Sequence, residues 1–228
     1  MLKINNLSVS FGDHKVLKNL KLECSKGELH GVLGMNGSGK TTLFRTIYGF
    51  KKKDDGDCVF EKESISSRKI GFLETENYFY SYMKGQEYLD LLSGADSRFD
   101  IEKWNKIFDL PLNDLIDTYS TGMKKKLAFL GVMALDRPVM ILDEPFNGVD
   151  VESNEKIFQI LERLKEHGKV MLISSHILSS LTSICDKISF LKEGVISKTY
   201  QKEEFPLLES ELREMVQKNI NQTLNELL

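Results

Sequence analysis

Gly34-Met35-Asn36-Gly37-Ser38-Gly39-Lys40-Thr41 is the stretch that decides how this chain folds. It fits the pattern GxxxxGK[ST], in which glycines let successive backbone N–H groups turn inward around the phosphates of a nucleotide. Lys40 brings a positive charge to the terminal phosphates, and the Thr41 hydroxyl is a ligand for Mg²⁺. A helix that begins here adds the dipole of its amino end. The stretch therefore predicts a phosphate-binding loop between a strand and a helix.

The residues around this loop alternate between the patterns of strands and helices. Leu29 to Leu33 predict a short buried strand that leads into the loop, and a helix is expected from about Lys40 to Tyr48. The alternation resumes after Gly122, with helices expected over 123–135, 154–167 and 178–185 and strands over 139–142, 170–174 and 188–191. Such βαβ alternation predicts an α/β fold with a mainly parallel sheet covered by helices.

Three parts of the chain depart from this alternation. Near the amino end, apolar residues at 2, 4, 7 and 9 and at 16, 17, 20 and 22 flank the turn Gly12-Asp13, which predicts an antiparallel β-subdomain. Between Asn77 and Thr118 the apolar residues have helical spacing, which predicts an inserted α-helical subdomain. A last amphipathic helix closes the chain, and we expect it to dock on its own domain.

Composition excludes several classes of protein. The net charge of -3 over 228 residues gives no global field that would hold nucleic acid or an anionic membrane, and the basic run Lys124–Lys126 is interpreted as a solvated helix face. The three cysteines form no CxxC pair, so we expect free buried thiols in a reducing cytosol. We expect no signal peptide, because polar residues interrupt the first residues at once, and the apolar runs fall short of the ~20 residues that cross a bilayer. Any membrane role is expected to come through a partner.

A second candidate for the site is the apolar strand that ends in Asp143-Glu144. At the end of such a strand, Asp143 is placed to reach the shell of a Mg²⁺ ion. Glu144 then lies beside the γ-phosphate, where it can orient and deprotonate an attacking water. Alone, this pattern is equally compatible with a solvated strand end. Together with the phosphate-binding loop, it favours phosphoryl-transfer chemistry.

Two more motifs place polar groups at the ends of elements. Ser120 and Gly122 open a helix, where a hydroxyl and free N–H groups can bind an anion. The motif by itself is compatible with a plain helix cap, but a second phosphate-binding helix end makes sense if it serves the ATP held by another copy of the chain. His176 follows a buried strand, and beside two phosphate motifs a contact with the γ-phosphate is favoured over a structural role.

Taken in this order, these residues resemble the nucleotide-binding domain of the ABC ATPase superfamily, over roughly Leu2 to Ser197. The resemblance implies one domain with a P-loop NTPase core at 1–76 and 120–200, a helical subdomain at about 77–119 and a C-terminal helical tail at about 201–228. It implies a catalytic role for Lys40, Glu144 and His176, with Mg²⁺ held by Thr41 and Asp143. Contacts with ATP are implied for Phe11 (which would stack on adenine), Gly34, Asn36, Gly37, Ser38, Gly39, Lys40, Thr41 and Thr42. In the partner's ATP site, the resemblance implies the signature residues Ser120, Thr121, Gly122 and Met123. Residues Asn147 to Asp150 resemble the D-loop, with Asp150 as its site residue.

The chain departs from the family pattern at two motifs. The family signature is commonly Leu-Ser-Gly-Gly-Gln, with which only Ser120 and Gly122 agree. The family also carries a glutamine after the strand near Leu73, where it touches Mg²⁺ and the lytic water. Here Thr75 stands at that position and is too short for the same contact, so Thr75 or its neighbour Glu76 is expected near the metal.

The wording of the motifs is similar to the bacterial subfamily that works with ABC-2-type exporter permeases. This implies a cytoplasmic subunit, peripheral on the cytoplasmic face of the cell membrane, that dimerises with itself or with a homologous ATPase and powers a separately encoded integral-membrane permease. No nucleic-acid partner is expected. One alternative is a soluble, non-transport ABC ATPase that acts on nucleic acid or the ribosome. Another is a non-enzymatic ATP-binding regulator, against which the intact Lys40, Asp143, Glu144 and His176 argue.

Overall fold

The structure is a computed structural model that describes residues 1–94 and 99–227, with the side chains of 219 and 222–227 left aside. The strands are β1 (Leu2–Phe11), β2 (His14–Cys24), β3 (Glu28–Leu33), β4 (Asp55–Phe60), β5 (Glu63–Ser64), β6 (Ile70–Leu73), β7 (Val139–Asp143), β8 (Val170–Ser175), β9 (Lys187–Lys192) and β10 (Val195–Gln201). The helices are α1 (Lys40–Tyr48), α2 (Gly85–Ser93), α3 (Ile101–Asn105), α4 (Thr121–Ala134), α5 (Val151–Glu166), α6 (Leu178–Thr182) and α7 (Phe205–Leu227).

The central sheet has the strand order β10-β9-β3-β8-β7-β6. All of its strand pairs are parallel except β10 with β9. The register pairs Leu33 with Ser175 and Asp143 with Ser174. The carboxyl ends of β3, β7 and β8 therefore meet at one edge of the sheet, where open parallel sheets bind their ligands. The predicted α/β fold with a mainly parallel sheet is confirmed.

A second sheet, in the order β2-β1-β4-β5, is antiparallel throughout. It corresponds to the predicted amino-terminal β-subdomain. The turn between β1 and β2 contains Gly12 at a φ of 58°. Because this conformation strains a residue with a Cβ, glycine suits the position.

The core lies on both faces of the central sheet, as the pattern of β7 shows. Val139 and Ile141 belong to one buried cluster, whereas Met140 and Leu142 belong to the other. Successive side chains of a strand point to opposite faces, so a strand that is covered on both sides must be apolar at every position. The continuous run Val139 to Leu142 meets this requirement.

Three parts of the structure differ in detail from the prediction. Helix α6 ends at Thr182 instead of Cys185, and β10 was not predicted because most of its side chains are polar and exposed. The helical insertion contains only the short helices α2 and α3, followed by a single 3-10 turn over Ile116–Thr118, within its described residues. Residues 95–98 of the insertion and residue 228 of the tail lie outside the described part of the chain.

The carboxyl-terminal helix α7 packs at its start on the central sheet, as expected. Leu208 is buried, and the Tyr200 hydroxyl of β10 donates a hydrogen bond to Glu211. Lys198 forms an ion pair with the same carboxylate at 3.0 Å. Across the residues described, α7 and the other helices all lack the combination of length and apolar character that spanning a membrane requires.

Candidate functional site

The phosphate-binding loop connects β3 to α1 in a conformation that requires glycine. Gly39 precedes the first helical residue with a φ of 108°. A Cβ on Gly34 would lie 2.4 Å from the Ser38 Oγ and 2.7 Å from the Leu191 carbonyl oxygen. Both positions therefore exclude larger residues, the first by its backbone angle and the second by lack of space.

Lys40 begins α1 and folds back over the loop. Its Nζ donates a hydrogen bond to the Gly34 carbonyl at 2.7 Å. The same nitrogen lies 3.6 Å from Glu144 Oε1, and both side chains are largely buried. The ammonium is therefore held at the mouth of the loop, where it can exchange these contacts for a phosphate oxygen.

Glu144 follows β7 in a left-handed conformation, with a φ of 50°. Such a conformation is uncommon for glutamate and persists only where the surroundings impose it, which is typical of functional sites. Glu144 Oε2 lies 3.0 Å from His176 Nδ1, and only 11% of the Glu144 side chain is exposed. The carboxylate is thus held between Lys40 and His176, which gives it a fixed position for general-base chemistry.

The candidate metal ligands Thr41 and Asp143 are in direct contact. The Thr41 hydroxyl donates to Asp143 Oδ2 at 2.7 Å, and the Ser174 hydroxyl donates to Asp143 Oδ1. A hydroxyl and a carboxylate beside a phosphate-binding loop form the set of hard oxygen donors that Mg²⁺ prefers. The buried hydroxyl of Ser38 fits the binding of a charged ligand as well, because it has no hydrogen-bond partner among the described residues.

Thr75 and Glu76, the residues expected in place of the family's glutamine, differ in burial. The Thr75 Oγ1 is buried and makes no hydrogen bond within the described residues, whereas Glu76 is exposed. Their neighbour Glu74 is bound through its carboxylate to Arg45 of α1 at 2.9 Å. An unpartnered hydroxyl is consistent with Thr75 as a contact for the metal or its water, and a role for either residue stays a prediction.

The signature residues lie at the start of α4. Ser120 accepts a hydrogen bond from the Met123 N–H at 3.2 Å and so caps the helix, while Ser120 and Thr121 stay exposed. A Cβ on Gly122 would lie 2.9 Å from the Gly148 carbonyl oxygen, so the signature packs against the D-loop. The structure places this group on the surface, and its contact with a second copy stays a prediction.

Asp150, the D-loop residue, caps the start of α5 through a hydrogen bond from the Ser153 N–H at 2.8 Å. Its carboxylate also lies 3.3 Å from the Nζ of Lys126. Hydrogen bonds from Ser153, followed by that from Lys126, lower the pKa of Asp150 to about 2. The side chain therefore joins α4, which carries the signature, to α5 within one copy.

Phe11 ends β1 with 53% of its surface exposed. The Nζ of Lys51 lies 3.8 Å from the centre of its ring, a cation–π contact. Asn36 and Thr42 lie in and directly after the phosphate-binding loop, and the Thr42 carbonyl accepts a hydrogen bond from Thr46. These placements are compatible with the predicted ATP contacts and do not test them.

Two polar residues that the sequence did not single out contact this site. Ser174 bonds both Asp143 and the Glu144 N–H, the latter at 3.0 Å. Lys125 donates to the backbone carbonyls of the loop after β6, and only 4% of it is exposed. The interpretation of Lys124–Lys126 as a solvated face is therefore wrong for Lys125, because the helical turn directs this residue towards β6 instead of the solvent.

A buried cluster of metal-binding residue types, Cys24, Glu28 and His30, lies outside this site, with ligand atoms within 4.8 Å of one another. Two of its groups already have partners within the protein: Glu28 Oε1 forms an ion pair with the Nζ of Lys187 at 3.0 Å, and His30 Nε2 lies 2.8 Å from the Ser189 hydroxyl. Desolvation raises the pKa of Glu28, but hydrogen bonds from His30 and Lys187 outweigh it and lower that pKa to about 2. We interpret this cluster as structural.

The three cysteines are buried free thiols, as expected from the sequence. Burial raises the pKa of all three, to about 11 for Cys58 and further for Cys24 and Cys185. The thiols are therefore protonated at neutral pH and poorly nucleophilic.

The sequence is similar to known transport proteins over most of its length. The family described as ABC transporter matches residues 17–147. The lantibiotic transport ATP-binding protein SrtF of Streptococcus pyogenes is 31% identical over 213 residues, which covers 88% of this chain and 91% of SrtF. The ABC transporter ATP-binding protein YtrB of Bacillus subtilis is 29% identical over 213 residues, with coverage of 90% and 73%.

The fold has a close counterpart among solved structures. The dimeric structure of a bacterial ABC transporter cassette superposes with a TM-score of 0.80 at 24% identity, and covers 89% of this chain and 99% of that one. At this level of identity the likeness concerns the fold. The family match over 17–147 includes the phosphate-binding loop, Asp143 and Glu144.

Proposed function

Since the chain belongs to the ABC transporter family, as one of its ATP-binding and ATP-hydrolysing proteins, we propose that it powers a separately encoded membrane permease through ATP-driven closure of a dimer. One observation carries this proposal. The Glu144 carboxylate is held between Lys40 and His176, next to the contact between Thr41 and Asp143. A carboxylate fixed at the mouth of a phosphate-binding loop is placed to act on water.

In this mechanism, the loop holds the phosphates of ATP and Lys40 transfers its contact from the Gly34 carbonyl to a terminal phosphate oxygen. Thr41 and Asp143 would hold Mg²⁺, which supplies neutralisation of the phosphate charge. Glu144 orients a water and accepts its proton as the water oxygen bonds to the γ-phosphorus. The bond from that phosphorus to the bridging oxygen breaks, which gives ADP and phosphate. His176 keeps the carboxylate in position.

The proposed dimer places each ATP between the loop of one copy and Ser120 to Met123 of the other. Exposure of Ser120 and Thr121 supports this arrangement, because the start of α4 remains accessible to a second molecule. The same fold is found in a dimeric cassette. We assign the chain to the cytoplasmic face of a cell membrane. There, the helical insertion and the loop 74–76 form the groove for a permease helix.

Transport out of the cell is the direction that we propose. The support is the resemblance of the motifs to the ABC-2-type exporter group and the similarity to SrtF, a protein named for lantibiotic transport. The permease selects the cargo in this arrangement, so none of the site residues described above needs to contact it.

The proposed function is tested with the Glu144→Gln protein. We expect its ATP turnover to fall by about 10² or more, the usual scale for loss of a general base. We also expect it to form a dimer in light scattering when ATP and Mg²⁺ are added, and to remain monomeric without nucleotide. Glu61→Gln is a matched control, since Glu61 also has a left-handed φ, 52°, but lies in the β-subdomain.

Two further variants locate the dimer contact. Ser120→Ala and Thr121→Arg, at the two exposed signature residues, are each introduced into the Glu144→Gln protein and are expected to abolish the ATP-dependent dimer without preventing nucleotide binding. A protein that stays monomeric with ATP, alone and with its permease in membranes, would contradict dimer closure. Full ATP turnover by Glu144→Gln would contradict the assignment of the base.

A further inference from the structure

Lys125 is a buried ammonium group for which the mechanism above has no use. It lies in the first turns of α4, among buried residues that include Leu127 and Ala128. Its Nζ donates hydrogen bonds to the Glu74 carbonyl at 2.9 Å and to the Thr75 carbonyl at 3.0 Å. No carboxylate in the described part of the chain forms an ion pair with it. Both of its bonds therefore fix the backbone of one loop.

Packing alone does not explain a lysine at this position, because burial of its charge has a cost. Desolvation by burial lowers the pKa of Lys125 to about 8, although the nearby charges of Asp143 and Glu144 act to raise it. An apolar side chain of the same length would avoid the desolvation of a charge. A lysine is therefore best explained by what its ammonium group bonds.

The loop that Lys125 binds is also held by a residue of a second helix. Arg45 Nε and one of its terminal nitrogens each lie 2.9 Å from Glu74 Oε1. Arg45 belongs to α1, the helix that begins with Lys40 and Thr41. The loop from Glu74 to Glu76 thus joins the phosphate-binding helix to the helix that carries the signature.

We propose that Lys125 is a positioning residue for hydrolysis, which fixes the loop 74–76 to the signature helix so that the two move together when the dimer closes. The ammonium group of Lys125 bonds backbone carbonyls of this loop. Its contact with the loop therefore does not depend on which side chain stands where the family has glutamine. The inference rests on the proposed function, because it needs the signature helix to move with the ATP state. Within the described residues, the Nζ of Lys125 bonds only the carbonyls of Glu74 and Thr75, so we assign it a role that acts through their loop.

The test uses the full-length protein with Lys125→Met, which keeps the length of the side chain and removes its donor. We expect kcat for ATP to fall by about tenfold or more, because a small displacement of a positioned group is costly to the rate, and KM to change less than about twofold. Backbone amides of residues 75–77 should exchange with deuterium about tenfold faster, since their loop has lost its anchor.

Lys169→Met is the matched control. Lys169 also donates to a backbone carbonyl, that of Arg137 at 3.0 Å, but at the amino end of β7, away from the site. The control should leave kcat and the exchange of residues 75–77 unchanged. If Lys125→Met does not fold, the comparison of Lys125→Arg with Lys125→Gln replaces it, and only arginine, which keeps the charge and several donors, should restore kcat.

The inference is overturned if Lys125→Met folds with unchanged kcat and unchanged exchange of the loop, or if arginine and glutamine at this position act alike. The Glu144→Gln protein distinguishes this failure from a failure of the proposed function. If only the inference about Lys125 fails, that protein still forms its ATP-dependent dimer. If the proposed function fails, it does not form the dimer.

Discussion

Ser174 supports Asp143 and Glu144 but has no part of its own in the proposed reaction, so its loss tests the hydrogen bonds that hold the site. Its hydroxyl donates to Asp143 Oδ1 and accepts from the Glu144 N–H at 3.0 Å. The side chain has no exposed surface. Ser174→Ala therefore removes one hydrogen bond from a buried carboxylate and leaves one backbone N–H without its acceptor.

The magnitude follows from these two contacts. A hydrogen bond to a charged group contributes about 1.5–3 kcal/mol, and a buried donor left without a partner costs about 1–3 kcal/mol. Since the two effects share one hydroxyl, we expect a loss of about 3 kcal/mol in the free energy of unfolding, at the lower end of their sum. In a chain of 228 residues this corresponds to a fall in Tm of about 6–12 °C.

Differential scanning calorimetry without nucleotide measures this change directly. Ser175→Ala is the matched control, because Ser175 is also buried but accepts only one hydrogen bond, from the Ile177 N–H at 2.9 Å. We expect it to lose about 1 kcal/mol. A Tm of Ser174→Ala that equals the wild-type value, or the value of the control, would refute the reasoning from buried hydrogen bonds.

Two further predictions concern glycine geometry and pH. In Gly34→Ala the new Cβ must displace the Ser38 hydroxyl and the Leu191 carbonyl, so we expect ATP affinity in calorimetric titration to fall by about tenfold or more; affinity equal to that of the wild type would show that the loop adapts. Glu28 has a folded-state pKa of about 2, below its ordinary 4.5, so its contribution to stability is present above pH 4.5 and is lost as the pH falls towards 2. We expect this loss to reach about 2 kcal/mol after allowance for solvent screening. In denaturant unfolding between pH 5 and 3, the free energy of unfolding should fall less steeply for Glu28→Gln than for the wild type. Parallel curves for the two proteins would contradict the stabilising role of the Glu28 carboxylate.

The parts of the site that the sequence predicted are those in which function follows from local geometry. The loop Gly34 to Thr41 is recognisable because its spacing of glycines, lysine and threonine is required by one short turn of chain. Thr41 and Asp143 were each predicted as Mg²⁺ ligands from their own motifs, the phosphate-binding loop and the end of a buried strand. Each of these motifs is carried by a few consecutive residues.

Other features depend on neighbours that are distant in sequence. Ser174 can bond Asp143 only because the register of β7 and β8 pairs the two residues. The sequence around Ser174 does not predict that register. Lys125 was interpreted as part of a solvated face because a run of three lysines has the same appearance whether its middle residue faces water or a loop 50 residues earlier in the chain.

The sequence by itself therefore determined the class of fold, the phosphate-binding loop and the order of the site's residues along the chain. Only the tertiary structure decided which polar side chains would be buried against which backbone groups. The physical reason is that periodicity and spacing record where a residue stands on its own element. The partners of Ser174 and Lys125 are set by the packing of one element on another, and that packing has no local signature.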